Sequence, residues 1–133
     1  MRIGLIGAGF MGRTHLAGWR SIGEEISGIL GAGHQSAKQL AENEGIALYD
    51  SVEELARASD VIDVCSPSDT HYRYVLQALS NKSAVFCEKP PALTMREARE
   101  MVETAESSGV PMGVGHVVRF FPEYAGAISK AKS

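Results

Sequence analysis

The sequence predicts a doubly wound α/β fold, a parallel sheet with helices on both faces, and three observations carry that prediction. Short apolar runs of strand length recur at residues 3–6, 26–30, 61–65, 84–87 and 110–114, with a weaker one at 46–48. None alternates strictly between apolar and polar, so both faces of each strand are covered, as in parallel strands packed between helices. Segments of helical period separate the runs, and strand and helix alternate six times. Right-handed crossovers between such strands give an expected order of 3-2-1-4-5-6.

Each element has its own signal. The first run leads directly into Gly7-Ala8-Gly9-Phe10-Met11-Gly12 and a helical stretch through Leu16 and Trp19, with Trp19 read as core-facing. The second run closes at Gly31-Ala32-Gly33-His34-Gln35-Ser36. Ser51 with Glu54, and Thr94 with Glu97, fit the capping box, in which hydroxyl and carboxylate each satisfy a free backbone N–H at a helix start. Asp60 and Asp63, at the fourth strand, are read as serving local backbone or solvent rather than chemistry. Apolar stripes at Tyr72, Val75, Leu76 and Leu79, and at Met95, Ala98, Met101, Val102 and Ala105, mark the next two helices, with Met95 and Met101 facing the core. After the sixth strand come Arg119, Phe120, Phe121 and Pro122 and a short helix-like stretch. The expected division is a dinucleotide-binding unit over 1–118 and the start of a crossover toward a further domain over 119–133.

Composition narrows the function classes. The chain has 133 residues, 44% hydrophobic and 22% charged, which suits one globular domain and excludes wholesale disorder. A net charge of −3 without a cluster of lysine and arginine leaves nucleic acid an unexpected partner. No apolar run approaches the roughly 18–20 residues of a membrane span, and the apolar start is too short for a signal peptide, so no membrane association and a cytoplasmic location are expected. Two cysteines, Cys65 and Cys87, both in strand-like runs, are expected to be reduced thiols.

The glycine-rich turn carries the first chemistry. The pattern G-x-G-x-x-G stands between a strand and a helix, the context in which it cradles a pyrophosphate. Gly7 permits the tight turn, Gly9 lets the phosphates approach the backbone, and Gly12 lets helix and strand pack closely. The helix N-terminus, at Phe10 and Met11, offers unpaired N–H groups to the phosphates. A methyltransferase loop would carry a further glycine at Met11, and a short-chain dehydrogenase would carry Tyr-x-x-x-Lys; neither occurs. The acid that usually binds the adenosine ribose at the end of the second strand is replaced by Gly31. Its absence removes repulsion toward a 2′-phosphate, and His34, Ser36 and Lys38 could donate to one, although the arginine often used there is missing from this loop. The expected cofactor is therefore NAD or NADP, with the preference open.

Ligands in such sheets lie beyond the carboxyl ends of the strands. Ser66, Pro67 and His71 follow the fourth strand, Glu88-Lys89-Pro90-Pro91 the fifth, and His116 the sixth. Together Gly7-x-Gly9-x-x-Gly12, Ser66-Pro67 with His71, Glu88-Lys89-Pro90 and Arg119-Phe120-x-Pro122 resemble the glucose–fructose oxidoreductase/inositol dehydrogenase/rhizopine catabolism family along essentially the whole chain. Glu-Lys-Pro is the most specific of these elements. The resemblance implies a hydride-transferring oxidoreductase acting on sugars, inositols or related alcohols with NAD or NADP. It implies that Lys89 hydrogen-bonds the reacting oxygen and assists proton transfer, and that Glu88 and Pro90 shape the nicotinamide pocket. It further implies that Ser66, Pro67 and His71 line the cofactor groove, with His116 to Arg119 near nicotinamide or substrate.

A lysine partly withdrawn from water at a strand end would stabilise a developing alkoxide. Read from the residues alone, Lys89 could also be a solvated partner of Glu88, and His71 could simply pack in the first turn of its helix. A zinc site from Cys65, Cys87, His71 and His116 has no close ligand pair behind it, so no metal is expected. Family members are longer, and their second domain supplies further catalytic groups and the usual subunit interface. The chain alone is thus expected to bind cofactor but turn over poorly, and its uncovered apolar surface could pair two copies as a homo-oligomer. The alternative is a stand-alone dinucleotide-binding regulatory or interaction module without catalysis.

Overall fold

A computed structural model describes residues 1–132. The sheet contains β1 (Arg2–Ile6), β2 (Glu25–Leu30), β3 (Ala47–Tyr49), β4 (Val61–Val64), β5 (Ala84–Glu88) and β6 (Met112–Gly115). Between them run α1 (Phe10–Ser21), α2 (Gln35–Glu44), α3 (Val52–Ala58), α4 (Ser68–Ser80) and α5 (Met95–Ser108). All five strand pairings are parallel, and the order is β3-β2-β1-β4-β5-β6, the expected one.

Strand alternation explains why there are two cores. Ile3 and Leu5 of β1 pack with Ile29, Leu16 and Leu40 beneath α1 and α2. Ile6, with Ile62 and Val64 of β4, points the other way and packs with Val75, Leu79, Val85 and Met101 against α3, α4 and α5. Close approach matters at Gly4, where a Cβ would lie 2.8 Å from Leu55 of α3.

Local structure departs from expectation at several points. The Thr94–Glu97 capping box is complete, whereas Ser51 accepts from the Glu54 N–H while the Glu54 carboxylate takes the N–H of Asp50 instead of that of Ser51. Met95, expected in the core, is 71% exposed, because it opens α5 outside the stripe formed by Ala98, Met101 and Ala105. The buried face of α4 is His71, Tyr74, Val75, Ala78 and Leu79, with Tyr72 and Leu76 at its border. β6 starts after Pro111, which has no N–H to donate but whose carbonyl accepts from Val85. Beyond β6 a 3₁₀ turn, Val117–Phe120, leads into α6 (Pro122–Lys132), and Phe120, Tyr124 and Ile128 are exposed. No helix among the described residues is long and apolar enough to cross a membrane.

Candidate functional site

A groove of about 690 Å³ crosses the carboxyl ends of β1, β2 and β4. Its floor is the Gly7–Gly12 turn, one wall is the start of α2 at His34 and Ser36, and the other is Ser66, Pro67 and Thr70 leading into α4. That volume lies within the roughly 300–1,000 Å³ of small-molecule and cofactor sites. The turn is shaped for close approach. Gly7 has φ of +116°, a conformation that favours glycine, and a Cβ there would lie 2.6 Å from the Cys65 backbone. A Cβ on Gly12 would penetrate the Gly7 carbonyl oxygen, so only glycine lets α1 start this close to β1. Gly9, by contrast, has nothing within 4 Å of its Cβ position and leaves the backbone open to a ligand. Phe10 and Met11 line the groove at the free N-terminal end of α1, which has no side-chain cap.

Eight of the sequence-predicted residues line one of two clefts, whereas Gly12, His71, Glu88 and Pro90 line neither. Gly7, Gly9, Phe10, Met11, Ser66 and Pro67 line this groove, while Lys89 and His116 line a second cleft of about 420 Å³ with Val117, Val118 and Arg119. His71 lies in neither lining: it is 1% exposed, with Nδ1 2.8 Å from the Pro90 carbonyl and Nε2 2.7 Å from the Ser66 carbonyl. Both partners are acceptors, so both contacts are hydrogen bonds only when each ring nitrogen carries a hydrogen. The ring is a strut that ties the loop after β4 to the loop after β5. The Lys89–Pro90 peptide there is cis.

Lys89 is exposed rather than withdrawn from water, and among the described residues its ammonium has no ion-pair partner. Glu88 turns away from it. This carboxylate is buried, accepts the Lys89 backbone N–H at 3.1 Å, and lies 3.2 Å from His15 Nε2.

Behind Glu88 is a buried polar cluster that the strand reading missed. Asp63 is fully buried on the α1 side of β4, not flanking the strand for solvent as expected, because alternation turns it with Val61 away from Ile62 and Val64. It accepts from Trp19 Nε1 at 2.6 Å, His15 Nδ1 at 3.0 Å and the Cys65 thiol at 3.3 Å. Trp19 is thus half-buried and hydrogen-bonded, and packs edge-on to Phe86. Hydrogen bonding to Asp63, with the charges of Asp63 and Glu88, raises the His15 imidazole above its ordinary value against the opposing effect of burial. Burial, with Asp63 nearby, pushes the Cys65 thiol up, and burial pushes Cys87 up to about 12, so both are inert thiols. His15, Asp63 and Cys65 hold donor atoms within 4.8 Å of one another, but their mutual hydrogen bonds account for that grouping. Asp60, in contrast, stays at the surface and accepts from the N–H and guanidinium of Arg2 on the neighbouring β1.

A parallel doubly wound sheet whose first turn presents open backbone to a groove at the strand ends defines a dinucleotide-binding domain. The comparisons narrow this: the family model described as "Oxidoreductase family, NAD-binding Rossmann fold" matches residues 1–116, and the chain belongs to that family. It is 35% identical over 120 residues to glucose-6-phosphate 3-dehydrogenase of Bacillus subtilis (strain 168), covering 90% of this chain and 34% of that protein. It is 33% identical over 141 aligned positions to inositol 2-dehydrogenase of Paracoccus denitrificans (strain Pd 1222), covering 98% of this chain and 41% of that protein. Among solved structures, UDP-N-acetylglucosamine 3-dehydrogenase GnnA from Acidithiobacillus ferrooxidans superposes with a TM-score of 0.90 at 25% identity, covering 98% of this chain and 43% of that one. The chain therefore spans between a third and a half of the length of these relatives.

Proposed function

We propose that this chain is the cofactor-binding unit of a nicotinamide-dependent dehydrogenase whose substrate is a sugar, inositol or related alcohol. The observation that carries the reading is the adjacency of two clefts at one sheet edge: the glycine-floored groove, and the Lys89–His116 cleft one strand further along. When bound, the nicotinamide cofactor accepts or donates the hydride. The glycine turn and the N-terminus of α1 hold the pyrophosphate, and Ser66 and Pro67 support its nicotinamide side. Lys89 hydrogen-bonds the reacting oxygen and holds or moves its proton at Nζ, while Glu88 and Pro90 fix the loop that carries it.

Residues 1–118 form the dinucleotide unit in this reading, and 119–133 lead toward a substrate-binding domain. The coverage of the relatives and the exposed apolar side chains of α6 support that division. Such a second domain would also remove water from Lys89, which this chain leaves exposed. A cytoplasmic location belongs to the same reading, as does self-association of the protein that carries this chain. A purely sensing module would use the groove but leave the Lys89 cleft without a role.

The test is substitution of Lys89 by Met in the protein that carries this chain, read with a panel of sugars and inositols. The proposal requires cofactor affinity to stay within about threefold while turnover falls by roughly 10²–10⁴, the usual contribution of a positioned acid or base. Undiminished turnover would overturn the assignment of Lys89.

A further inference from the structure

The end of β2 is where a dinucleotide-binding domain usually reads the adenosine ribose, and this groove is built without the usual carboxylate. The position is not merely empty of acid. Gly31 is buried, its N–H donates to the Tyr49 carbonyl at 2.7 Å, and a Cβ there would lie 3.0 Å from Leu48 Cδ1 and 3.3 Å from the Tyr49 oxygen. A side chain starting from that backbone needs the exposed Leu48 side chain to give by a few tenths of an ångström.

The opposite wall supplies what the β2 loop lacks. Arg73, one turn into α4, lines the same groove as His34 and Ser36. Its guanidinium lies 4.6 Å over the Tyr74 ring, a stacking contact that lays the planar cation along the wall. Among the described residues Arg73 has no ion pair, and the groove lining contains no Asp or Glu. In a chain of net charge −3, this groove therefore has an unneutralised cation in its lining together with a serine hydroxyl and an imidazole. Arginine is the side chain best suited to a phosphate, since its fork donates two parallel hydrogen bonds to two oxygens.

We infer that Arg73, with Ser36 and His34, forms a subsite for a phosphate on the 2′ position of the adenosine ribose, so that the groove takes NADP(H) in preference to NAD(H). The inference rests on the reading of the groove as a dinucleotide site and names the form of the dinucleotide. Discrimination arises from both sides: a missing carboxylate leaves the 2′-hydroxyl of NAD without its usual acceptor, and Arg73 rewards only the phosphorylated form.

Calorimetric titration of the chain with NADPH, NADH, 2′,5′-ADP and 5′-ADP, repeated with Arg73→Gln and Arg73→Lys, tests this. The expected result is NADPH binding at least tenfold tighter than NADH, and 2′,5′-ADP tighter than 5′-ADP. Loss of a charged hydrogen-bonding partner should weaken NADPH by roughly 10- to 150-fold in Arg73→Gln, with NADH changed by less than about threefold. Arg73→Lys should keep part of the preference, since it keeps charge without the fork. Because Arg73 is exposed, an unchanged unfolding midpoint verifies that the variants are folded. NADH binding as tightly as NADPH overturns the subsite while leaving a dinucleotide groove in place. Equal weakening of both ligands by Arg73→Gln also overturns it, and reduces Arg73 to a stacking surface for adenine. Failure of a folded sample to bind any of the four overturns the dinucleotide reading itself.

Discussion

Adding one methyl group at Gly9 and, separately, at Gly12 separates folding from ligand binding within a single turn. At Gly12 the new carbon would overlap the Gly7 carbonyl oxygen and sit 2.9 Å from its carbon. The obstacle is backbone, not a side chain that can swing aside, so α1 must shift relative to β1, and overpacking of this kind costs about 1–3 kcal/mol. At Gly9 the backbone is extended, with φ of −73°, and nothing lies within 4 Å of the new carbon, so the fold should change by less than about 0.5 kcal/mol. The same methyl would stand where the pyrophosphate approaches the turn. Loss of one charge-assisted hydrogen bond, about 1.5–3 kcal/mol, weakens cofactor affinity by roughly 10- to 150-fold. Urea unfolding and calorimetric titration on Gly9→Ala and Gly12→Ala read the two effects independently. Gly9→Ala should unfold like the parent and bind poorly; Gly12→Ala should unfold at lower urea. Parental affinity in Gly9→Ala, or equal destabilisation of both, would refute the argument that Gly9 serves the ligand and Gly12 the packing.

Buried polar side chains offer three further tests. Asp63→Ala leaves Trp19 Nε1–H and His15 without their acceptor in the interior and should cost about 3–5 kcal/mol, measured by chemical unfolding; a loss below about 1 kcal/mol would contradict it. Because the His15 imidazole is raised in the folded state above an unfolded value near 6.5, its contribution is complete below that pH and is lost as pH rises through the raised value. The stability gap between the parent and His15→Gln should therefore narrow as pH rises above about 6.5, and a gap that widens would reverse the sign. Replacing His71 by Ala removes the strut between the Ser66 and Pro90 carbonyls and should cost about 1–3 kcal/mol while loosening cofactor binding. Parental values for both quantities in His71→Ala would leave the ring without a structural role.

Much of the architecture is legible because local signals agree with the global fold. Continuous apolar strands, the glycine turn and Thr94 with Glu97 each specify their structure within a few residues, so order and direction follow. What the sequence conceals depends on tertiary proximity. Arg73 lies 39 positions beyond His34 yet lines the same groove, so a search for arginine within the β2 loop passes over it. His15 and Asp63 are also far apart in sequence, although each carries a readable warning. His15 stands beside Gly12, Leu16 and Trp19 on the inward stripe of α1, and Asp63 is a charge in the middle of an apolar strand, where it must find partners. The exposure of Lys89 was likewise hidden, since residue type and loop position say nothing of what else covers the site.

Amide chemical-shift mapping of the isotope-labelled chain during titration with NADPH decides whether the glycine-floored groove is the dinucleotide site. A dinucleotide seated there should give saturable shifts concentrated at the Gly7–Gly12 turn, at Ser66 through Thr70 and at Gly31 through Ala37, with α5 unmoved. Shifts confined to α5 or α6, or a folded spectrum that does not change at saturating ligand, would contradict it.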